Sequence, residues 1–172
     1  LLLTCTGVSF FHGQNDGQKG VGLIMLILIG IVPGYFALNA GFDATKLQDP
    51  LGKLEVVMAA VDPTPLSEID RNTLQEAKDL DTRLQAALAG RTVDSIPTKE
   101  RFAIRKDVLV LDRNLNKLMG KEEARFSSSD RSLIKVNLKA LRKITDYSPA
   151  WVIMLIALSL GLGTMIGWKR IV

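Results

Sequence analysis

The stretch Ser9-Phe10-Phe11-His12-Gly13-Gln14-Asn15-Asp16-Gly17-Gln18-Lys19-Gly20-Val21-Gly22 decides how the rest of the sequence is read. It is polar, punctuated by glycine, and set between two apolar runs. Residues 1–11 carry no charge, and residues 21–38 are eighteen positions without a charged side chain, close to the ~20 that cross a bilayer as a helix. An amide, a carboxylate and an ammonium at such a boundary are costly to desolvate unless they face protein or a water-filled cavity. The stretch is therefore a candidate functional site. The expected local structure, over residues 1–40, is an interrupted transmembrane segment: an apolar half-segment, a polar break at 12–16, and a full-length helix that tolerates Gly30 and Pro33.

A second transmembrane helix is expected over residues 149–172. Pro149 opens it and the pair Lys169-Arg170 closes it. Trp151 and Trp168 are seventeen residues apart, roughly 26 Å along a helix, which suits tryptophans at opposite interfaces. Gly161, Gly163 and Gly167 offer small residues for close packing against a partner helix.

The middle is unlike the ends. Residues 41–148 hold nineteen of the 22 Lys+Arg and seventeen of the 18 Asp+Glu, so the mean hydropathy of +0.18 averages dissimilar parts. Three helical periodicities are visible there, and no strand pattern. The first uses Leu66, Ile69, Leu74, Ala77, Leu80, Leu84 and Leu88, opens on a Ser67/Asp70 cap and stops at Gly90. The second follows Pro97-Thr98, with Phe102, Val108, Leu109, Leu111, Leu115, Leu118 and Met119 on its apolar side and Gly120 after it. The third follows Ser127-Ser128-Ser129-Asp130 and uses Leu133, Ile134, Leu138, Leu141 and Ile144. A short amphipathic piece at 54–61 leads in. The expected fold is all-α: a three-helix soluble bundle inserted between two membrane segments.

Composition narrows the function. The balanced charge of the middle, +2 net, lacks the clustered basic patch of a nucleic-acid binder. One cysteine, Cys5, excludes an intrachain disulfide and a multi-cysteine metal site, and its neighbours make it a small buried hydrophobe. His12 is the single histidine; a hydrogen-bonded packing role outranks a proton relay for it, and a lone His argues against a metal site. The bundle has no His, Cys or Trp, and pairs such as Glu122-Glu123 or Asp79 with Asp81 sit among Lys and Arg. They read as solvated charge, so an enzyme is not expected. No initiator Met or basic leader precedes Leu1, and the chain is expected to be an internal piece of a longer multi-pass membrane protein. Lys169-Arg170 favour the cytoplasm for the chain ends and place the 41–148 loop outside, in the periplasm of a bacterium.

The break itself has definite chemistry. Asn15 and Asp16 supply hard oxygen ligands suited to Na⁺, and Asp16 could instead carry a proton. Gly13, Gly17, Gly20 and Gly22 let backbone approach an anion. If the helix begins near Gly17, its free N–H groups face the break and would seat a phosphate or carboxylate. Broken helices of this kind recur in transporters. A polar cap at the interface would use the same residues, and Lys19 is open between phosphate contact and snorkelling.

The run His12-Gly13-Gln14-Asn15-Asp16-Gly17-Gln18-Lys19-Gly20-Val21-Gly22-Leu23-Ile24-Met25-Leu26 resembles the second signature repeat of bacterial PiT-family inorganic phosphate transporters. Ser148-Pro149-Ala150-Trp151-Val152-Ile153-Met154 and the run from Leu160 to Arg170 resemble the next span of that family. The resemblance implies a secondary transporter of two inverted repeats in the inner membrane. Its cargo would be inorganic phosphate, free or as a neutral metal–phosphate complex, driven by H⁺ or Na⁺, with no resident cofactor or permanent metal. Asn15 and Asp16 match the family's polar pair and Gly13 its leading glycine; Gly17 follows in the same motif. Gln14 replaces the usual alanine, and Phe11 stands where related sequences often carry serine. Implied partners are the lipid bilayer and the remaining helices with the first repeat; a homo-oligomer is compatible, nucleic acid is not. The alternative function, from another class, is a membrane-anchored helical interaction or regulatory module without transport activity.

Overall fold

The computed structural model describes the backbone of residues 2–167 and the side chains of 4 and 11–166. All described regular structure is helical: α1 (Leu2–Ile31), α2 (Pro33–Phe36), α3 (Gln48–Ala59), α4 (Glu68–Leu88), α5 (Thr98–Met119), α6 (Ser128–Arg142) and α7 (Ala150–Gly167). The chain forms two compact units, one of residues 1–32 and 148–172, the other Pro33–Tyr147.

The unit Pro33–Tyr147 is a four-helix ring in which α3, α4, α5 and α6 each pack on two neighbours, with α2 laid on α5. The expected three-helix bundle therefore gains a member. The lead-in at 54–61 is the second half of α3, which begins at Gln48 and buries Leu51, Leu54, Val57 and Met58. Pro50 lies in its first turn, where amides have no helical partner and a missing N–H costs nothing. The other three helices start and stop where the capping chemistry puts them. Ser67 accepts the Asp70 N–H to open α4, and Gly90 follows it at φ +61°, where a side chain would be strained. Ser127 and Asp130 form a reciprocal capping box on α6, worth about 1 kcal/mol. Leu84, Leu111, Leu115, Leu118 and Ile134 fill the centre, fully buried.

Three expected seam residues face outward instead: Ile69, Phe102 and Leu133 are exposed. For Ile69 the cause is the cap. Ser67 donates to Asp70 Oδ2 at 2.7 Å, and Lys117 and Lys121 approach the same carboxylate at 3.7 and 3.5 Å. This hydroxyl first, then the two ammonium groups, hold the Asp70 carboxyl below its ordinary value. Asp70 turned inward leaves Ile69, one residue and 100° away, outside.

Two arginines of α5 fasten the ends of this unit. Arg101, buried, donates from Nε to Ile96 O at 3.0 Å and from its two Nη atoms to Gly34 O and Asp94 O, each at 3.3 Å. Arg105 Nη1 donates to Ala37 O at 3.1 Å and to Thr145 O at 2.7 Å. The Tyr147 hydroxyl donates to Phe36 O at 3.2 Å, and Asn39 N–H to Ile144 O at 2.8 Å. Gly34 is required by close approach, since a Cβ there would lie 2.8 Å from the Thr98 Cβ.

The other unit contains α1 packed on α7. Two expectations are corrected here. First, α1 is continuous through residues 12–16, so the first segment is not interrupted. Gly13 and Gly17 cost a helix about 1 kcal/mol each, whereas opening a turn would strand several backbone donors and acceptors beside apolar faces. Second, the apolar run 21–38 is not one helix. Pro33 cannot donate to the 29 carbonyl and its ring clashes there; α1 ends at Ile31, and Ala37 and Leu38 are buried away in the bundle unit. Among the described residues no helix is long and apolar enough to cross a membrane. In α1 Asp16 and Lys19 divide the apolar residues into two shorter runs; Trp168 and the pair Lys169-Arg170, expected to close the second segment, lie outside the described residues, as does the Cys5 side chain. Both helices nevertheless expose large apolar side chains, among them Leu26 and Ile31 on α1 and Met154, Leu158 and Met165 on α7.

One buried carboxylate lacks compensation. Asp81, expected on a solvated face, is 1% exposed. Its Oδ2 accepts Gln85 Nε2 at 2.8 Å, but its Oδ1 has no partner. Burial raises its pKa from 3.8 to about 6, offset in part by Gln85 and reinforced by the neighbouring Glu55 carboxylate. The folded state thus holds a proton that the unfolded chain releases, and stability falls as pH rises from about 3.8 to about 6. Asp81→Asn should raise the thermal midpoint above pH 6, by a few degrees for a gain of about 1 kcal/mol. The difference from the parent chain should shrink toward pH 4, as followed by helical circular dichroism.

Candidate functional site

Helical continuity distributes the quoted stretch over two faces of α1. At 100° per residue, His12, Asp16 and Lys19 form one stripe, and Gly13, Gly17, Gln14, Gln18 and Val21 another, roughly opposite. On the first stripe, Asp16 Oδ2 lies 3.4 Å from His12 Nε2 and Asp16 Oδ1 lies 3.5 Å from Lys19 Nζ. Asp16 is half-exposed and its two neighbours are more so. Asn15, exposed, belongs to neither stripe and lies about 160° from Gly17.

The second stripe faces α7 across a groove of about 540 Å³. Gly13, Gln14, Gly17 and Gln18 form one wall, and Ile153, Ile156 and Leu160 the opposite one. The glycines set its width. A Cβ on Gly17 would meet Leu160 Cδ1 at 3.7 Å, and one on Gly20 would meet Ile156 Cγ2 at 3.3 Å. Close packing in this pair therefore comes from glycines of α1 against branched residues of α7. Gly161 and Gly163, expected to supply it, meet nothing within 4 Å.

Of the four candidate residues, the structure brings Gly13 and Gly17 together in the groove and turns Asn15 and Asp16 elsewhere. No helix N-terminus opens near Gly17, because the backbone there is inside α1. The amide cradle expected at Gly17 is therefore absent. Sequence reasoning passed over Gln18, which lines the groove together with Gln14. The signal was the four-residue spacing of both pairs, 13 with 17 and 14 with 18, which a continuous helix stacks on one face. Among the described residues no group of three or more His, Cys, Asp or Glu is placed to hold a metal ion.

The helix pair exposes apolar residues outward, carries the run Gly13-Gln14-Asn15-Asp16 and is continuous in sequence with a compact helical bundle. All of residues 1–172 match the phosphate transporter family, and the chain belongs to it. It is 34% identical to a low-affinity inorganic phosphate transporter of Buchnera aphidicola, over 100% of this chain and 38% of that protein. It is 32% identical to the low-affinity inorganic phosphate transporter PitB of Escherichia coli and 30% identical to PitA of the same strain, each over 99% of this chain and 38% of the relative. The chain thus spans about 38% of the length of these curated relatives. The family is one of transporters, not enzymes. No solved structure matches the chain.

The glycine contacts lead to a packing test. Gly20→Val should lower the thermal stability of the solubilised full-length protein by about 1–3 kcal/mol through overpacking. Ile156→Ala in the same chain should restore part of that loss, and additive losses would place the contact elsewhere.

Proposed function

We propose that this chain is an internal part of a permease that moves inorganic phosphate across the bacterial inner membrane by secondary transport. The observation that carries the reading is Asp16, the one carboxylate among the described residues of the helix pair, in a chain whose family and relatives are phosphate transporters. The outward apolar faces of α1 and α7 suit lipid or further helices of the same permease. A carboxylate in such a setting is expensive unless it takes up a cation. Asp16, with Asn15, binds the coupling ion: Na⁺ through their oxygens, or H⁺ on the carboxylate. Gly13 and Gly17 keep side chains clear of the groove so that the cargo, free phosphate or its neutral metal complex, passes close to the backbone. The remaining length of the permease supplies the partner repeat, and the bundle lies on the periplasmic side.

Asp16→Asn in the full-length permease should reduce phosphate uptake into cells or proteoliposomes to background while expression and membrane insertion persist. Near-normal uptake would remove Asp16 from the ion site and leave a membrane-anchored helical module as the better description of this segment.

A further inference from the structure

The bundle unit carries a charged groove that the transport reading does not use. It lies between α5 and α6, has a volume of about 580 Å³, and is floored by Leu138. Three cations of α6, Lys135, Lys139 and Arg142, and Lys143 at its C-terminal cap line it against two carboxylates, Asp112 and Asp146. Both carboxylates are already engaged by a single cation: Arg142 Nη1 lies 3.4 Å from Asp112 Oδ2, and Arg142 Nε donates to Asp146 Oδ2 at 2.8 Å. Asp146 Oδ1 also accepts the Thr145 hydroxyl at 3.2 Å. Among the described residues, Lys135, Lys139 and Lys143 are left with no acidic group within 4.0 Å. They recur every fourth residue, so three ammonium groups project from successive turns of one helix face over about 12 Å. Like charges in that register repel one another unless an anion joins them.

We infer that the α5–α6 groove is a binding site for a phosphate dianion, centred on Lys139 and Lys143 beside the Arg142 pair. The charge argues for the class. Two positive charges remain after the carboxylates are matched, and a phosphate group carries about −1.5 to −2 near neutral pH. Ammonium groups on flexible stems close around such an anion as point charges. A lipid phosphodiester carries a single negative charge and leaves the groove unbalanced, so free orthophosphate is the assigned ligand. This site is independent of Asp16 and of the helix pair that bears it.

Lysine acylation of the purified full-length permease, read residue by residue by mass spectrometry, tests the assignment. Millimolar orthophosphate, against chloride at equal ionic strength, should slow modification of Lys139 and Lys143, about threefold at twice its Kd. Lys99 and Lys106, exposed on α5, should react at an unchanged rate. Lys143→Gln should remove the protection of Lys139, and the protection should persist in Asp16→Asn. Equal slowing by chloride, or slowing only by phosphatidylglycerol vesicles in phosphate-free buffer, would overturn the site. Loss of protection in Asp16→Asn would overturn it as well, by tracing the anion to α1.

Discussion

The guanidinium of Arg105 is the interaction on which the architecture turns. One Nη atom donates to the carbonyls of Ala37 and Thr145, which lie on the two stretches of chain that lead into and out of the bundle. Both carbonyls sit just past helix ends, where the helix supplies no donor. Burial lowers the arginine's pKa while the nearby Asp146 raises it, yet a guanidinium stays charged in any folded protein. The result is a permanent, charge-assisted tie. Arg101 repeats the device on Gly34, Asp94 and Ile96, and Gly34 is tolerated only as glycine because α2 lies against the first turn of α5. The segment 33–38, apolar enough to pass for the end of a membrane helix, is thereby committed to the bundle.

A continuous α1 changes how the motif works. Were the helix broken at 12–16, Asn15, Asp16 and the glycines would converge on free amides. With the hydrogen-bond ladder intact, the same residues serve two faces: Gly13, Gly17, Gln14 and Gln18 along the groove, Asp16 between His12 and Lys19 on the other side. The glycines fix the spacing of the pair. The helix pair and the bundle also obey opposite rules of burial. Most leucines of the bundle go inside, whereas Leu23, Leu26, Leu158 and Leu162 of the helix pair are exposed.

How much of this was legible in the sequence depended on whether a residue acts locally. Ser67 with Asp70, Ser127 with Asp130, Gly90 and Gly120 mark helix ends by hydrogen bonds or dihedral angles within a few residues, and α4, α5 and α6 run where those signals put them. Pro50 and Pro33 have the same chemistry and opposite outcomes, one inside the first turn of α3 and one ending α1. Position in the helix decides, and tertiary packing sets position. Ile69 was misplaced because periodicity counts apolar residues and cannot see that Lys117 and Lys121, over forty residues away, draw Asp70 inward. At the candidate site, the residues were readable but not their faces, since the polar, glycine-rich run gives no local sign that the helix persists through it.

The amide of Asn39 donating to the carbonyl of Ile144 has a topological consequence. Between these two residues the chain wanders through an entire bundle and comes back to within one hydrogen bond of where it left. For an unfolded connection of about 115 residues, the length of the unit Pro33–Tyr147, closing the ends costs about 4 kcal/mol in entropy. Folded, the bundle behaves as a tight turn would, and its length drops out of the reckoning. A transporter can acquire, enlarge or shed such a module without altering the distance that the flanking chain must bridge.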